Sequence, residues 1–165
     1  MRALLLVPFT VAIVLASSGA AKAAEAVARA GGSIIAALAI EKTEDLYFGT
    51  VVPSPTVADT VRMTSGGQLN CGSNLTCLGD DATPAGFAVS GEGDFAYTVS
   101  LPDRIQLSNG TNTMQVVALE ASIGDQGRLS EGGTETFTVG GILSVAAGQP
   151  VGDYSGTFSV TVEYN

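Results

Sequence analysis

The stretch that decides the fold is "GDYSGTFSVTVEYN", Gly152 to Asn165. From Phe158 onward, Phe158, Val160, Val162 and Tyr164 alternate with Ser159, Thr161 and Glu163. A period of two is the signature of a β-strand with one buried and one solvated face. The strand is the last in the sequence, and a terminal strand with an apolar stripe and free backbone groups on one edge needs a cover. That cover is either the domain's own N-terminal segment or another chain.

Working back along the sequence, similar segments recur: Leu46–Val52, Val57–Thr64, Gly86–Ser90, Ala96–Leu101, Thr113–Ile123, Glu135–Ala146 and Tyr154–Tyr164. Turn signals separate them, among them "SGGQ" from Ser65, "SGEGD" from Ser90, "SNGTN" from Ser108, "SEGG" from Ser130 and "AAGQPVGD" from Ala146. No segment sustains a helical period. Many short strands joined by Gly-rich turns predict an all-β chain folded as an antiparallel β-sandwich.

The N-terminal region divides in two. Met1 and Arg2 precede an apolar run, Ala3 to Leu15, and small residues ending in "AKA", Ala21 to Ala23. This is the layout of a secretory signal peptide, residues 1–23, with cleavage expected after Ala23 and alternatives after Ala24 or Ala30. The run is too short for a membrane span, which takes about 20 residues, and no later segment could span. Next comes "AEAVARAGGSIIAALAI", residues 24–40. Alanine favours helix, but Gly31 and Gly32 interrupt it. Its even positions Ala26, Ala28, Ala30, Gly32, Ile34, Ala36 and Leu38 are small or apolar, while Arg29 and Ser33 fall on the odd face. The expectation is an extended segment, followed by one domain over residues 41–165.

Charge and composition exclude several functions. Without Arg2 and Lys22, five basic residues remain against sixteen acidic ones, a net charge of −11. Arg29, Lys42, Arg62, Arg104 and Arg128 are scattered, so no patch suits nucleic acid. The chain has no histidine, which removes the commonest general base and metal ligand. Lys42 lies in a charged run, and the acidic pairs Asp80/Asp81 and Glu92/Asp94 lie in turns where such residues ordinarily solvate or cap a loop. The expectation is no enzyme and no cofactor. The acidic turns lack the spacing of an EF-hand calcium loop. Asn74 and Asn109 match the glycosylation sequon and are read as loop asparagines. Phe48, Phe87, Phe95, Phe137 and Phe158 fall in alternating segments and read as core. With no Trp, an aromatic sugar-binding platform is poorly supported.

Cys71 and Cys77, in "NCGSNLTCLG", are expected to form a local disulfide in an oxidising compartment. Zinc is the alternative, but two thiolates without histidine do not readily complete a tetrahedral site.

Three stretches carry a resemblance: "FGTVV" from Phe48, "PAGFAVSGEGDFAYTVSLP" from Pro84 and "VGGILSVAAGQPVGDYSGTFSVTVEYN" from Val139. From about Leu38 to Asn165 the chain resembles the secreted bacterial family domain of unknown function 4402, which looks related to the pilin-like domains of spore coat protein U and of chaperone–usher fimbriae. Chaperone–usher pilins end in an alternating strand with a penultimate aromatic and a Gly fourteenth from the end, and here Tyr164 and Gly152 hold those places.

The resemblance implies an immunoglobulin-like sandwich lacking its last strand. A periplasmic chaperone covers the gap first, and the next subunit's N-terminal strand replaces it during assembly at an outer-membrane usher. Gly152, Phe158, Val160, Val162 and Tyr164 would then contact the chaperone or donor, and Ala28, Ala30, Gly32, Ile34, Ala36 and Leu38 would form the donor face. Fimbrial donors usually carry larger apolar anchors than the alanines here. The implied function is a structural subunit of a surface fimbria or pilus, a homopolymer passing through the periplasm to the cell surface. The alternative is a self-complete secreted sandwich acting as a surface-associated binding or cell-adhesion module.

Overall fold

The structure, a computed structural model, describes residues 22–165. The expected signal peptide therefore falls, up to position 21, outside the described residues. The described chain forms two units, one reaching Ser33 and a compact unit spanning Ile34–Asn165. All residues from 22 to 37 are exposed and none lies in a strand.

The compact unit is all-β. Its strands are β1 (Ala39–Glu44), β2 (Thr50–Val52), β3 (Asp59–Met63), β4 (Leu69–Cys71), β5 (Thr76–Leu78), β6 (Ala85–Ser90), β7 (Ala96–Ser100), β8 (Arg104–Ser108), β9 (Thr113–Ala121), β10 (Gln126–Arg128), β11 (Thr134–Val145) and β12 (Thr161–Tyr164). Every pairing between them is antiparallel. The large sheet runs β1-β6-β11-β3-β4, with β9 on β11 and β8 on β9. A three-stranded sheet runs β10-β7-β12, and β2 and β5 form a ribbon.

The organising strand is β11. Its odd residues Phe137, Val139, Leu143 and Val145 are buried, as its alternation predicts. Thr134–Val139 pairs with β6, Gly141–Val145 with β3, and Val139–Ser144 with β9. The change of partner falls at Gly140 and Gly141. A side chain on Gly140 would collide with the backbone of Met63, Thr64 and Ser65, so the bare backbone lets the strands meet there.

Two apolar clusters fill the interior. In the first, Tyr97 and Val99 of β7 face Phe87 and Val89 of β6 and Phe137 and Val139 of β11, which packs the small sheet on the large one. In the second, Val61, Met63, Ile105, Val116, Leu143 and Val145 pack with Phe48. The two faces together are the expected β-sandwich.

Cys71 and Cys77 are bonded, with Cα atoms 6.1 Å apart. Their loop is pinned by Asp59, whose carboxylate accepts the Asn74 N–H at 2.9 Å, the Asn74 side-chain amide at 3.0 Å and the Thr60 N–H at 2.8 Å. These bonds, that from the Asn74 backbone foremost, hold the Asp59 carboxyl below the usual carboxylate range. A depressed carboxylate pKa stabilises the fold above the unfolded value, about 4, and that contribution is lost as pH falls through the folded value. Reduction of the disulfide by a phosphine should therefore accelerate below about pH 4. In Asp59→Ala it should be fast throughout, and an unchanged wild-type rate down to pH 2 would contradict the pinning.

Candidate functional site

The chain alternates at its end as expected: Phe158, Val160, Val162 and Tyr164 are half-buried, and Ser159, Thr161 and Glu163 are exposed. Only Thr161–Tyr164 pairs, however, along β7 from Thr161↔Ser100 to Tyr164↔Tyr97. The expected strand Tyr154–Tyr164 is thus interrupted. Ser155 bridges to Ser108 of β8, with N···O distances of 2.8 and 3.1 Å in the two directions. Gly156–Val160 then passes from β8 to β7 outside any ladder. Gly156 lies so close to the Gln106 carbonyl that a side chain would collide with it.

Beside this unpaired stretch the sandwich opens into a cleft of about 880 Å³. One wall is Gln149–Phe158 and the other Glu44–Val51, and the floor includes Phe87, Ile105, Leu107, Met114, Leu143 and Val145. The floor is therefore interior packing surface reached from one side. Phe158 packs against both clusters, and its ring meets Phe87 edge-on at 6.2 Å.

The residues read from the sequence divide between two places. Gly152 and Phe158 line the cleft. Gly152 has φ 148°, a conformation that favours glycine. Val160, Val162 and Tyr164 instead pack on the first cluster. In the N-terminal segment, Ala28, Ala30, Gly32 and Ile34 are exposed. Ala36, by contrast, is hydrogen-bonded to Glu92 and Tyr164, and Leu38 packs on the first cluster. A free strand would therefore end before Ala36.

Sequence reasoning missed the floor residues Ile105, Leu107 and Met114. Ile105 and Leu107 alternate in "RIQLS", but the run is short and lies between Pro102 and a turn.

Among the described residues, no three His, Cys, Asp or Glu side chains are grouped to hold a metal ion, and no helix is long and apolar enough to cross a membrane. Asn74 donates its amide to Asp59, so that sequon side chain is engaged in the fold.

Fold and site together define an antiparallel β-sandwich domain that opens beside its last strand into an apolar cleft. The chain belongs to the family described as Domain of unknown function (DUF4402), which matches residues 38–164. No curated protein and no solved structure gives a significant match.

Proposed function

We propose that this protein is a structural subunit of a bacterial surface fimbria or pilus-like assembly, an immunoglobulin-like domain polymerising by β-strand addition. The observation that carries this reading is the apolar cleft walled in part by Gly156–Phe158, the start of a stretch that lies outside any ladder. An added strand would place apolar side chains on the floor and join its backbone to that wall, the two halves of β-augmentation. The chain has a segment of suitable kind, since residues 24–35 are exposed, lie outside strands and have a small or apolar residue at every even position, with Glu25, Arg29 and Ser33 among the odd ones. An apolar cleft and an apolar arm on one chain make a heterologous, head-to-tail contact, which gives open filaments unless the rotation closes.

In this reading the subunit is exported. A periplasmic chaperone covers the cleft first, an outer-membrane usher receives the subunit, and a second copy of the chain is the final occupant. Across the cleft, the other edge of the large sheet contributes Lys42 and Glu44 to the lining and contrasts with the Gly156–Phe158 wall. Its edge strand β1 carries Glu41, Lys42 and Glu44, with a register shift between Lys42 and Glu44, features that discourage strand addition.

A second reading has one observation in its favour. The cleft volume of about 880 Å³ falls in the range of small-molecule sites, as a self-complete binding or adhesion module would need. Sedimentation of purified mature protein separates the two. A ladder of oligomers is expected for an assembly subunit, and a monomer at every concentration for a self-complete module.

A further inference from the structure

Tyr164 ties the C-terminal strand to the segment that leads into β1. The Tyr164 hydroxyl donates to the Ala36 carbonyl at 3.0 Å and accepts the Glu92 N–H at 2.6 Å. The Ala36 N–H in turn donates to the Glu92 carboxylate at 2.9 Å. Both backbone groups of Ala36 are thus held, one by the last strand and one by the β6–β7 turn. The Tyr164 ring is set edge-on against Phe95 at 5.8 Å. Gly91 leaves the room, since a side chain there would collide with the Tyr164 hydroxyl and crowd Leu38 and Leu129.

We propose that this clamp couples the cleft to the base of the N-terminal arm, so that a subunit whose cleft is filled by a second copy presents its own arm from a fixed base. The inference rests on the strand-accepting reading of the cleft.

The connection is the C-terminal strand itself. Its first part, Gly152–Phe158, belongs to the cleft wall, and its last, Thr161–Tyr164, is β12. Between them the chain has no ladder partner. A strand docked in the cleft would pair with Gly156–Val160 and lengthen β12 backwards, holding it from a second side. The motion left to Tyr164 then falls, and with it the opening of the clamp on Ala36. The clamp's bonds to Ala36 are exposed to water, so their opening responds to small changes in β12. Coupling of this kind is reciprocal, so a closed clamp also strengthens binding in the cleft. Addition thereby acquires an order, with acceptance of a strand favouring donation of the next.

The test uses dilute mature protein and, as probe, a synthetic peptide of residues 24–35 carrying a fluorophore. Anisotropy reports binding, and amide exchange by NMR reports the Ala36 N–H. Saturating peptide should slow Ala36 exchange about tenfold, within the usual span of coupling between sites. Tyr164→Phe keeps the ring against Phe95 but loses both hydroxyl bonds. It should still bind peptide while the slowing disappears. Glu92→Ala should lose the slowing independently, and Glu92→Gln, which keeps an acceptor oxygen, should retain it. Binding without slowing in the wild type, or equal slowing in Tyr164→Phe, would overturn the coupling while leaving the cleft reading intact. Absence of peptide binding would overturn both.

Discussion

A mature chain shortened to begin at Ile35 is expected to fold and to bind a strand in its cleft, yet to add no further subunit. The compact unit begins at Ile34, and Leu38 and Ile40 are the first side chains to pack on the core, so the truncation removes exposed residues. Mixed with full-length protein, the shortened chain should cap growing oligomers, because it accepts a strand and offers none. Average size should fall steeply with the capped fraction, and a preparation of the shortened chain alone should sediment as a monomer. The cut must stop before Ala36. Removing residues through Leu38 would also delete a packed leucine and the partner of Tyr164, confusing lost assembly with lost stability. If the truncation unfolds, or polymerises as well as the full chain, the arm is not a donor.

The largest stability effect is expected at Tyr97. Its side chain is fully buried, at 0 % exposure, between the two sheets. Its hydroxyl donates to Glu135 at 2.8 Å, and the same carboxylate oxygen accepts the Arg128 N–H at 2.9 Å. Tyr97→Ala should cost about 3–5 kcal/mol, the usual penalty for removing a buried ring. That is a large part of the 5–15 kcal/mol that holds an ordinary domain together, and Tm should drop by about 10–20 °C. Tyr97→Phe keeps the ring and should cost about 1.5–3 kcal/mol, the range for a hydrogen bond to a charged group.

A pH signature separates the hydroxyl from the ring. Burial foremost, then the bond to Glu135 and its charge, push the Tyr97 pKa well above the ordinary value. A raised pKa stabilises fully below the unfolded value, about 10, and that contribution fades as pH rises towards the folded value. Wild-type stability should thus fall above about pH 10 more steeply than that of Tyr97→Phe. Parallel curves would mean that the hydroxyl contributes nothing through its protonation.

How far these features were legible in the sequence depends on strand length and on which face is wet. Strands β6, β7, β9 and β11 alternate over five or more residues with apolar side chains inward, and the sequence places each of them. Strand β1 escaped because its residues "AIEKTE" bury only Ile40, partly. An edge strand with one packed side chain and several charges looks like a loop. Strands β4, β5 and β10 span three residues each, too few for a period to show. The last strand was read correctly in its faces but not in its pairing. Alternation reports which side chains are buried, whereas pairing depends on whether a neighbour is present, and beside Gly156–Val160 none is.

The cleft was legible only in part for a related reason. Phe158 and Gly152 lie on the wall; Phe158 carries a local signal, a regular stripe, whereas Gly152 was reached only through the resemblance to chaperone–usher pilins. The floor is assembled from β6, β8, β9 and β11, strands far apart in sequence, and nothing local marks Met114 or Leu143 as facing an opening rather than a sealed core. The N-terminal segment was read as extended; residues 22–37 are exposed and lie outside strands. Its division at Ala36 depends on Tyr164, well over a hundred residues away.

The most direct measurement of the central claim uses the methionines. Besides Met1 the chain has only Met63 and Met114. Met63 lies in the second cluster at 1 % exposure, while Met114 lines the cleft. Methyl-labelled methionine NMR of mature protein, titrated with the peptide of residues 24–35, therefore reads the cleft and the core at once. A strand seated on the cleft floor should shift the Met114 methyl in a saturable way and leave Met63 nearly in place. Both methyls staying still at saturating peptide, or moving together, would contradict the account.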